Sequence, residues 1–397
     1  MRNYQYLEQK YIVQTYPFRG VTLIRGEGVY LFDQKGNKYL DFMSNYGVNI
    51  FGYNHLKIQE ALVNQLKRLT NLHGSFTNDK RAEASAKLIK RCGSTFTRVY
   101  WSNSGAETIE AALKFAVLES KKRRFIYCRN AYHGKTLGAL SATGNEKHRR
   151  PFEPLLWEFT PIEFGNLEEL EKTINGDTAA LILEPIQGEA GIILPPESYL
   201  QKVRNICDKN SVLIILDEIQ TGTGRTGTFL ASEKSNIQAD ILCLGKGLAG
   251  GLPVGATLVT ETVASKIPKS SHTSTFGGNP LTCAGVLAVL DLLDDRLLGH
   301  IRDTGTYFLN ALKEFRSDII KDVRGRGLMI GIEIAGKNTP ILKALQQRRI
   351  LAIPAGGKVV RFLPPYTISK KEIALLIDVI QRIPNSLDRE NFVGQEI

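Results

Sequence analysis

The chain has 397 residues, 43% hydrophobic and 23% charged, an ordinary globular composition with room for about two or three domains. Its net charge of +11 is scattered; the one dense run, "KKRR" at 121–124, closes a predicted helix, and no groove-reading motif accompanies it, which argues against nucleic acid as a partner. The longest apolar runs, "AALILEP" and "VLIILDEI", are too short to span a bilayer, and the N-terminus lacks the apolar stretch of a signal peptide, so a soluble cytoplasmic protein with no membrane partner is expected.

Residues 20–45 read as a small meander with turns at Gly26–Gly28 and Gly36–Asn37. From residue 98 onward, short apolar runs alternate with helical periodicities. "RVYWSN" precedes a helix with Ile109, Ala112, Leu113, Ala116 and Val117 on one face. "RFIYCRN" and "AALILEP" follow, then a helix carrying Tyr199, Leu200, Val203, Ile206 and Cys207, then "SVLIILDE", "ADILCLG" and "ATLVT". This alternation predicts an α/β fold, a mostly parallel buried sheet with helices on both faces. After the helix through "NPLTCAGVLAVLDLL" come α+β patterns, including "GLMIGIEI" and "KVVRFLPPYTI". The expected organisation is an N-terminal segment (1–48) of a small domain, a large domain (49–285) and a C-terminal part (286–397) that completes the small domain.

Five cysteines, odd in number and without CxxC or Cys/His spacing, read as buried free thiols of a reducing compartment; no metal site is expected.

Lys246 stands in "ADILCLGKGLAGGLPVGA", where apolar residues lead up to it and glycines follow. An ammonium there must lose water or find an unusual partner. Asp217 ends the most apolar predicted strand, where parallel sheets bind ligands, although a carboxylate there also serves as a simple helix cap. An amine and a carboxylate in one crevice suit pyridoxal 5′-phosphate (PLP): lysine forms the Schiff base and an acid partners the ring nitrogen. In "SNSGAE", Ser104 and Glu107 have capping-box spacing, and Gly105 permits the close approach of a phosphate to a helix N-terminus. "NAYHGKT" sets Tyr132 and His133 just beyond a strand, either to cover a cofactor or merely to pack a loop mouth. "HTSTFGGNP" offers hydroxyls beside glycines, which suits a phosphate or any tight turn. A rival is "GTGRTG" at 222–227, a G-x-G-x-x-G match with Asp240 downstream, which would make the chain a dinucleotide-binding oxidoreductase.

Taken in order, "NSGAET", "EPIQGEAG", "LDEIQTGTGRTG", "LGKGLAGGLPVGA" and "TSTFGGNP" resemble the class III (ω-) aminotransferases, PLP enzymes of fold type I. The resemblance implies a large domain with a seven-stranded-type sheet and a small domain from both termini. It implies Lys246 as Schiff-base lysine and proton shuttle, Asp217 as ring-nitrogen partner, and Gln220 near the phenolic oxygen. Ile219 and Tyr132 would pack the two ring faces, with His133 beside them. Ser104, Gly105 and Ala106 would hold the phosphate, joined by Thr275 of a second subunit in a homodimer with shared active sites. Glu189 would pair with Arg361 as a gate that opens for glutamate, with Ser274 and Lys135 also at the substrate.

Within the family, the C-terminal "RGRGLMIGIEI" and "ILAIPAGGKVVRFLPPYTI" look most like the acetylornithine aminotransferases and relatives acting on carrier-bound lysine or ornithine. The implied reaction moves the terminal amine of an N-acylated ornithine or lysine to 2-oxoglutarate, giving a semialdehyde and glutamate, with a small acidic carrier protein as a possible partner. Lys135 departs from this: the subfamily has arginine there, and a lysine cannot make a bidentate clamp. "HGKTLGALSAT" resembles the putrescine aminotransferases instead, so a diamine or 4-aminobutyrate donor is the alternative.

Overall fold

The computed structural model describes residues 3–314 and 319–383. Strands β1 (Leu23–Glu27), β2 (Tyr30–Asp33) and β3 (Lys38–Asp41) form the antiparallel meander. The central sheet comprises β4 (Arg98–Ser102), β5 (Arg124–Cys128), β6 (Glu158–Ile162), β7 (Thr178–Leu183), β8 (Leu213–Asp217), β9 (Ile241–Leu244) and β10 (Gly255–Val259). Its seven strands run in the order β4-β10-β9-β8-β7-β5-β6. All neighbours are parallel except β10, which is antiparallel to both β4 and β9.

The sequence pattern explains this sheet. β7, "TAALIL", is buried at every position, as expected of a strand covered on both faces. Alternation then divides its neighbours between two cores. Ile215, Ile241 and Cys243 face the helix Gly105–Ser120, with Ile109, Ala112 and Phe115, while Ile214, Leu216, Leu242 and Leu244 join the opposite core with Tyr199 and Val203. All five apolar residues expected on the face of the Tyr199–Lys209 helix are buried. On the Gly105–Ser120 helix Ile109, Ala112, Leu113 and Ala116 are buried and Val117 is half-buried.

Strands β11 (Ile320–Arg326), β12 (Met329–Ile334), β13 (Ile350–Leu351), β14 (Ile353–Ala355) and β15 (Val359–Phe362) follow. β11, β12, β15 and β14 make a third sheet, whereas β13 leaves it to pair parallel with β3 of the N-terminal meander. Leu363 N–H also donates to Phe42 O at 2.7 Å, so the two ends of the chain are stitched together. Residue 285 lies within the helix Pro280–Leu292, which Asn279 caps by accepting from Thr282 N–H.

Two expectations need correction. In "KKRR" only Lys121 closes the helix, in a left-handed conformation with its N–H on Val117 O; Arg124 opens β5 and donates to Thr173 O and Thr178 Oγ1. "GTGRTG" does not open a helix: it is a run of turns in which buried Arg225 donates to Leu328 O (3.0 Å) and Pro364 O (2.6 Å). Asp240, the would-be ribose ligand, accepts instead from Ile214 N–H and Arg204, both at 2.7 Å. The dinucleotide reading falls, because a pyrophosphate needs the free N–H groups of a helix N-terminus there. All five cysteines are free, and Cys128, Cys207, Cys243 and Cys283 are buried.

Candidate active site

Because β4, β5, β7, β8 and β9 point the same way, their C-terminal ends share one edge of the sheet. Ser104 follows β4, Tyr132 and His133 follow β5, Glu184 follows β7, Asp217 ends β8 and Lys246 follows β9. Most of these residues border one cleft of about 550 Å³, lined by Gly105, Ala106, Tyr132, His133, Lys135, Glu184, Glu189, Asp217, Ile219, Gln220 and Lys246. Tyr16, from the N-terminal segment, also reaches it.

The antiparallel β10 positions Lys246. A short connection reverses the chain between β9 and β10 without a crossover helix, and Lys246 opens its 3₁₀ turn, Lys246–Ala249, at φ +45°. A left-handed non-glycine residue is strained and persists only where its surroundings enforce it. Gly247 helps enforce it: a Cβ there would lie 2.6 Å from Ile50 Cγ2. Burial pushes the Lys246 ammonium below the usual lysine range and Arg361 adds to this, while Asp217, Glu189 and Glu184 pull the other way.

Asp217 is fixed on both oxygens. Oδ1 accepts from Ile219 N–H at 3.0 Å, and Oδ2 lies 2.7 Å from His133 Nδ1. The His133 side chain has no solvent exposure, and its Nε2 is buried without a hydrogen-bond partner. That assigns the ring proton to Nδ1, where it meets a carboxylate, and leaves Nε2 as the bare acceptor. His133 N–H donates to Thr143 Oγ1 at 3.1 Å, which sets the ring's position.

Opposite, the helix Gly105–Ser120 begins at the cleft. Ser104 Oγ accepts from Glu107 N–H (3.2 Å), but the capping box is not reciprocal, because Glu107 Oε2 takes Asn103 N–H (2.7 Å) instead. Ser104 thus caps the helix and stands outside the cleft lining. The N–H groups of Gly105 and Ala106 open the helix, where no intrahelical acceptor exists. At Gly134, φ +138°, a Cβ would come within 2.9 Å of Ala106 Cβ, so only glycine lets the Tyr132 loop lie against this helix end.

Arg361, on β15, is fully buried. It donates to Glu189 Oε1 at 2.6 Å, Gln220 Oε1 at 2.9 Å and Pro354 O at 3.2 Å. Glu189 and Gln220 line the cleft and Arg361 does not, so the carboxylate and the amide cover the guanidinium. Lys135 is exposed at the rim. Ser274 and Thr275 are not brought to the cleft of their own chain: Ser274 Oγ accepts from Gly277 N–H (2.9 Å) and Asn103 Nδ2 (3.4 Å), and Thr275 is exposed.

Glu184 is the residue that sequence reading missed. It is buried, with Oε1 accepting from Tyr132 N–H (3.1 Å) and Oε2 from Gly188 N–H (3.0 Å). Burial, with the nearby Asp217 charge, outweighs those donors and His133 and pushes its carboxyl up to about 7. Its position after an apolar run is the same signal that singles out Asp217. The folded-state value lies above the unfolded one, so this group's contribution to stability is full below about pH 4.5 and is lost as pH rises through 7. In infrared difference spectra, a protonated carboxyl C=O stretch should vanish with a midpoint near pH 7 and be missing in Glu184→Gln. A midpoint below about 5.5 would refute this assignment.

An amine, a fixed carboxylate and a helix N-terminus around one cleft fit the aldehyde, the ring nitrogen and the phosphate of PLP. Comparison with known proteins agrees. Residues 13–383 match the family described as "Aminotransferase class-III". The acetylornithine aminotransferase of Methanopyrus kandleri is 40% identical over 370 residues, 92% of this chain and 95% of that one. Among solved structures, the acetylornithine aminotransferase from Elizabethkingia anophelis superposes with a TM-score of 0.84 at 34% identity, covering 96% of this chain and 97% of that one. The ornithine aminotransferase from Toxoplasma gondii, crystallised with PLP at partial occupancy in its active site, gives a TM-score of 0.91 at 33% identity, covering 96% and 93%. The chain belongs to the class III aminotransferases, and it is a PLP-dependent enzyme that transfers an ω-amino group.

Proposed function

We propose that the enzyme takes the terminal amino group of an N-acylated ornithine- or lysine-type donor and passes it to 2-oxoglutarate, leaving a semialdehyde and glutamate. The observation that carries this reading is the buried Arg361 held behind Glu189 and Gln220. One cleft must accept two unlike substrates in turn. With the pair closed, the arginine's charge is neutralised and the wall suits the uncharged chain of the donor. When a dicarboxylate enters, Glu189 swings away and Arg361 receives its carboxylate in a bidentate bond. The acetylornithine aminotransferases among the relatives support an N-acylated donor, and the ornithine aminotransferases support its terminal amine.

In this mechanism bound PLP supplies the electron sink, and the protein supplies position and protons. The N–H groups of Gly105 and Ala106 would hold the phosphate, with Ser104 capping the turn. Tyr132 and Ile219 would flank the ring, Gln220 would meet its phenolic oxygen, and Asp217, oriented by His133, would keep the ring nitrogen protonated. Lys246 would anchor the cofactor, and the lowered basicity of its Nζ would suit it to take the proton from the donor carbon and return it. Lys135 meets the donor's α-carboxylate and Ser274 supports the substrate side. Thr275 completes the phosphate site of a second copy in a homodimer, which accounts for its exposure here. The net charge of +11 suits an acidic carrier protein presenting the donor, in the cytoplasm.

A diamine donor is the second reading, and Lys135 favours it, since an exposed lysine is a weaker carboxylate ligand than arginine. Mixing the purified yellow enzyme separately with glutamate, N-acetylornithine, ornithine, putrescine and 4-aminobutyrate decides between them. We expect glutamate and N-acetylornithine to bleach the visible band and putrescine to leave it. Bleaching by putrescine with N-acetylornithine inert would overturn the proposal.

A further inference from the structure

The turn that carries Glu189 is tied to two different sheets. Gln187 and Ile193 close it with a pair of backbone bonds, each N–H to the other's O at 3.0 Å. Gly188 N–H donates to Glu184, which follows β7 of the central sheet. Gly191 O accepts from Arg324 Nε at 2.9 Å, and Arg324 belongs to β11 of the third sheet, outside the cleft lining.

Strand register brings two arginines to this one turn. Arg324 on β11 stands opposite Gly331 on β12, and Gly331 stands opposite Arg361 on β15. Residues opposite one another on antiparallel strands share a face, so Arg324 and Arg361 flank Gly331 on the side that receives the turn. Gly331 leaves a gap between them: a Cβ there would lie 2.9 Å from Val359 Cγ1 and 3.1 Å from Ile192 Cγ1. Ile192 is fully buried against that gap at φ +57°, a left-handed conformation that a β-branched residue keeps only where its surroundings impose it. At one end of the row Arg361 takes the Glu189 carboxylate, and at the other Arg324 takes the carbonyl of the same turn.

Arg324 also has a plainly structural task. Asp322 and Glu333 face each other across β11 and β12, where like charges repel, and Nη1 of Arg324 donates to both at 2.7 Å. Nη1 serves the acids and Nε serves the turn, so the two tasks fall on different atoms and can be separated.

We infer that Arg324 is a positioning residue for the exchange at Arg361: its bond to Gly191 O holds the turn in the form that sets Glu189 over the guanidinium, and so fixes how readily a substrate carboxylate displaces Glu189. The inference rests on the Glu189–Arg361 switch of the proposed function and adds the residue that biases it. Without that bond Ile192 can leave the left-handed region, the turn relaxes, and Glu189 competes less well with an incoming carboxylate. The uncovered guanidinium then favours glutamate and disfavours the uncharged chain of the donor.

The two half-reactions report this separately. Purified holoenzyme is mixed with glutamate, or with whichever of N-acetylornithine, ornithine and putrescine bleaches the wild-type visible band fastest, and the second-order rate constants are compared. Arg324→Lys keeps a cation for Asp322 and Glu333 but loses the guanidinium fork, so it should unfold within a few degrees of wild type. Its ratio of glutamate to donor rate constants should rise about tenfold, through apparent affinity, with limiting rates within about threefold of wild type. Glu189→Gln should raise the ratio in the same sense, and Arg324→Lys added to it should change the ratio by less than about twofold, because both act on one switch. An unchanged ratio in Arg324→Lys, with Glu189→Gln still raising it, would overturn the inference and leave the switch standing. An equal loss in both half-reactions would make Arg324 a structural residue only and overturn it too. A ratio that Glu189→Gln leaves unchanged would remove the switch and this inference with it.

Discussion

Lys246→Ala is expected to lower kcat by at least about 10⁴-fold, because in the proposed mechanism one side chain serves as covalent anchor and as general acid–base. Its neighbourhood cannot supply a substitute. The other cation near the inner wall, Arg361, is engaged by Glu189, Gln220 and Pro354 O. Lys135 is exposed at the rim. The variant should still fold, since removing a strained, desolvated ammonium relieves cost, and alanine tolerates the turn no worse than lysine. Borohydride reduction followed by peptide mass analysis should find the cofactor on the Lys246 peptide of wild type and on no peptide of the variant. Residual turnover within about a hundredfold of wild type would refute the role given to Lys246.

The second large effect is expected at Asp217→Asn, about 10²–10⁴-fold in kcat. The amide can keep Oδ1 on Ile219 N–H, but it then presents an NH₂ to His133 Nδ1. The imidazole must turn to its other tautomer, placing a proton on the buried Nε2, which has no partner. The negative charge that would hold a ring nitrogen protonated is gone as well. A purely structural fault would lower thermal stability and activity together. The expected outcome is instead a holoenzyme that unfolds within a few degrees of wild type and has an altered visible spectrum. An unchanged spectrum with normal turnover would refute the pairing.

Those two residues are legible in the sequence because each ends an apolar run, and the ends of parallel strands converge on one edge. Glu184 obeys the same rule and escapes notice, since in "EPIQGEAG" it is Glu189 that the family resemblance singles out. The bond between His133 and Asp217 is not legible: it joins the loop after β5 to the end of β8, and β7 lies between those strands. Only the strand order brings the two residues together. The swap of partners in the Ser104 turn, with Glu107 serving Asn103, is hidden for a similar reason, because spacing cannot separate N–H donors one residue apart.

The pairing of β3 with β13 has a consequence for how the enzyme is made. The meander is synthesised before the whole central sheet, and the partner of its last strand comes after it. The central sheet, with Lys246 and Asp217 at its edge, can therefore fold before β13 and the strand that carries Arg361 have been made. The nascent protein passes through a stage in which the lysine and the carboxylate face each other across the cleft while the guanidinium behind Glu189 is still to come.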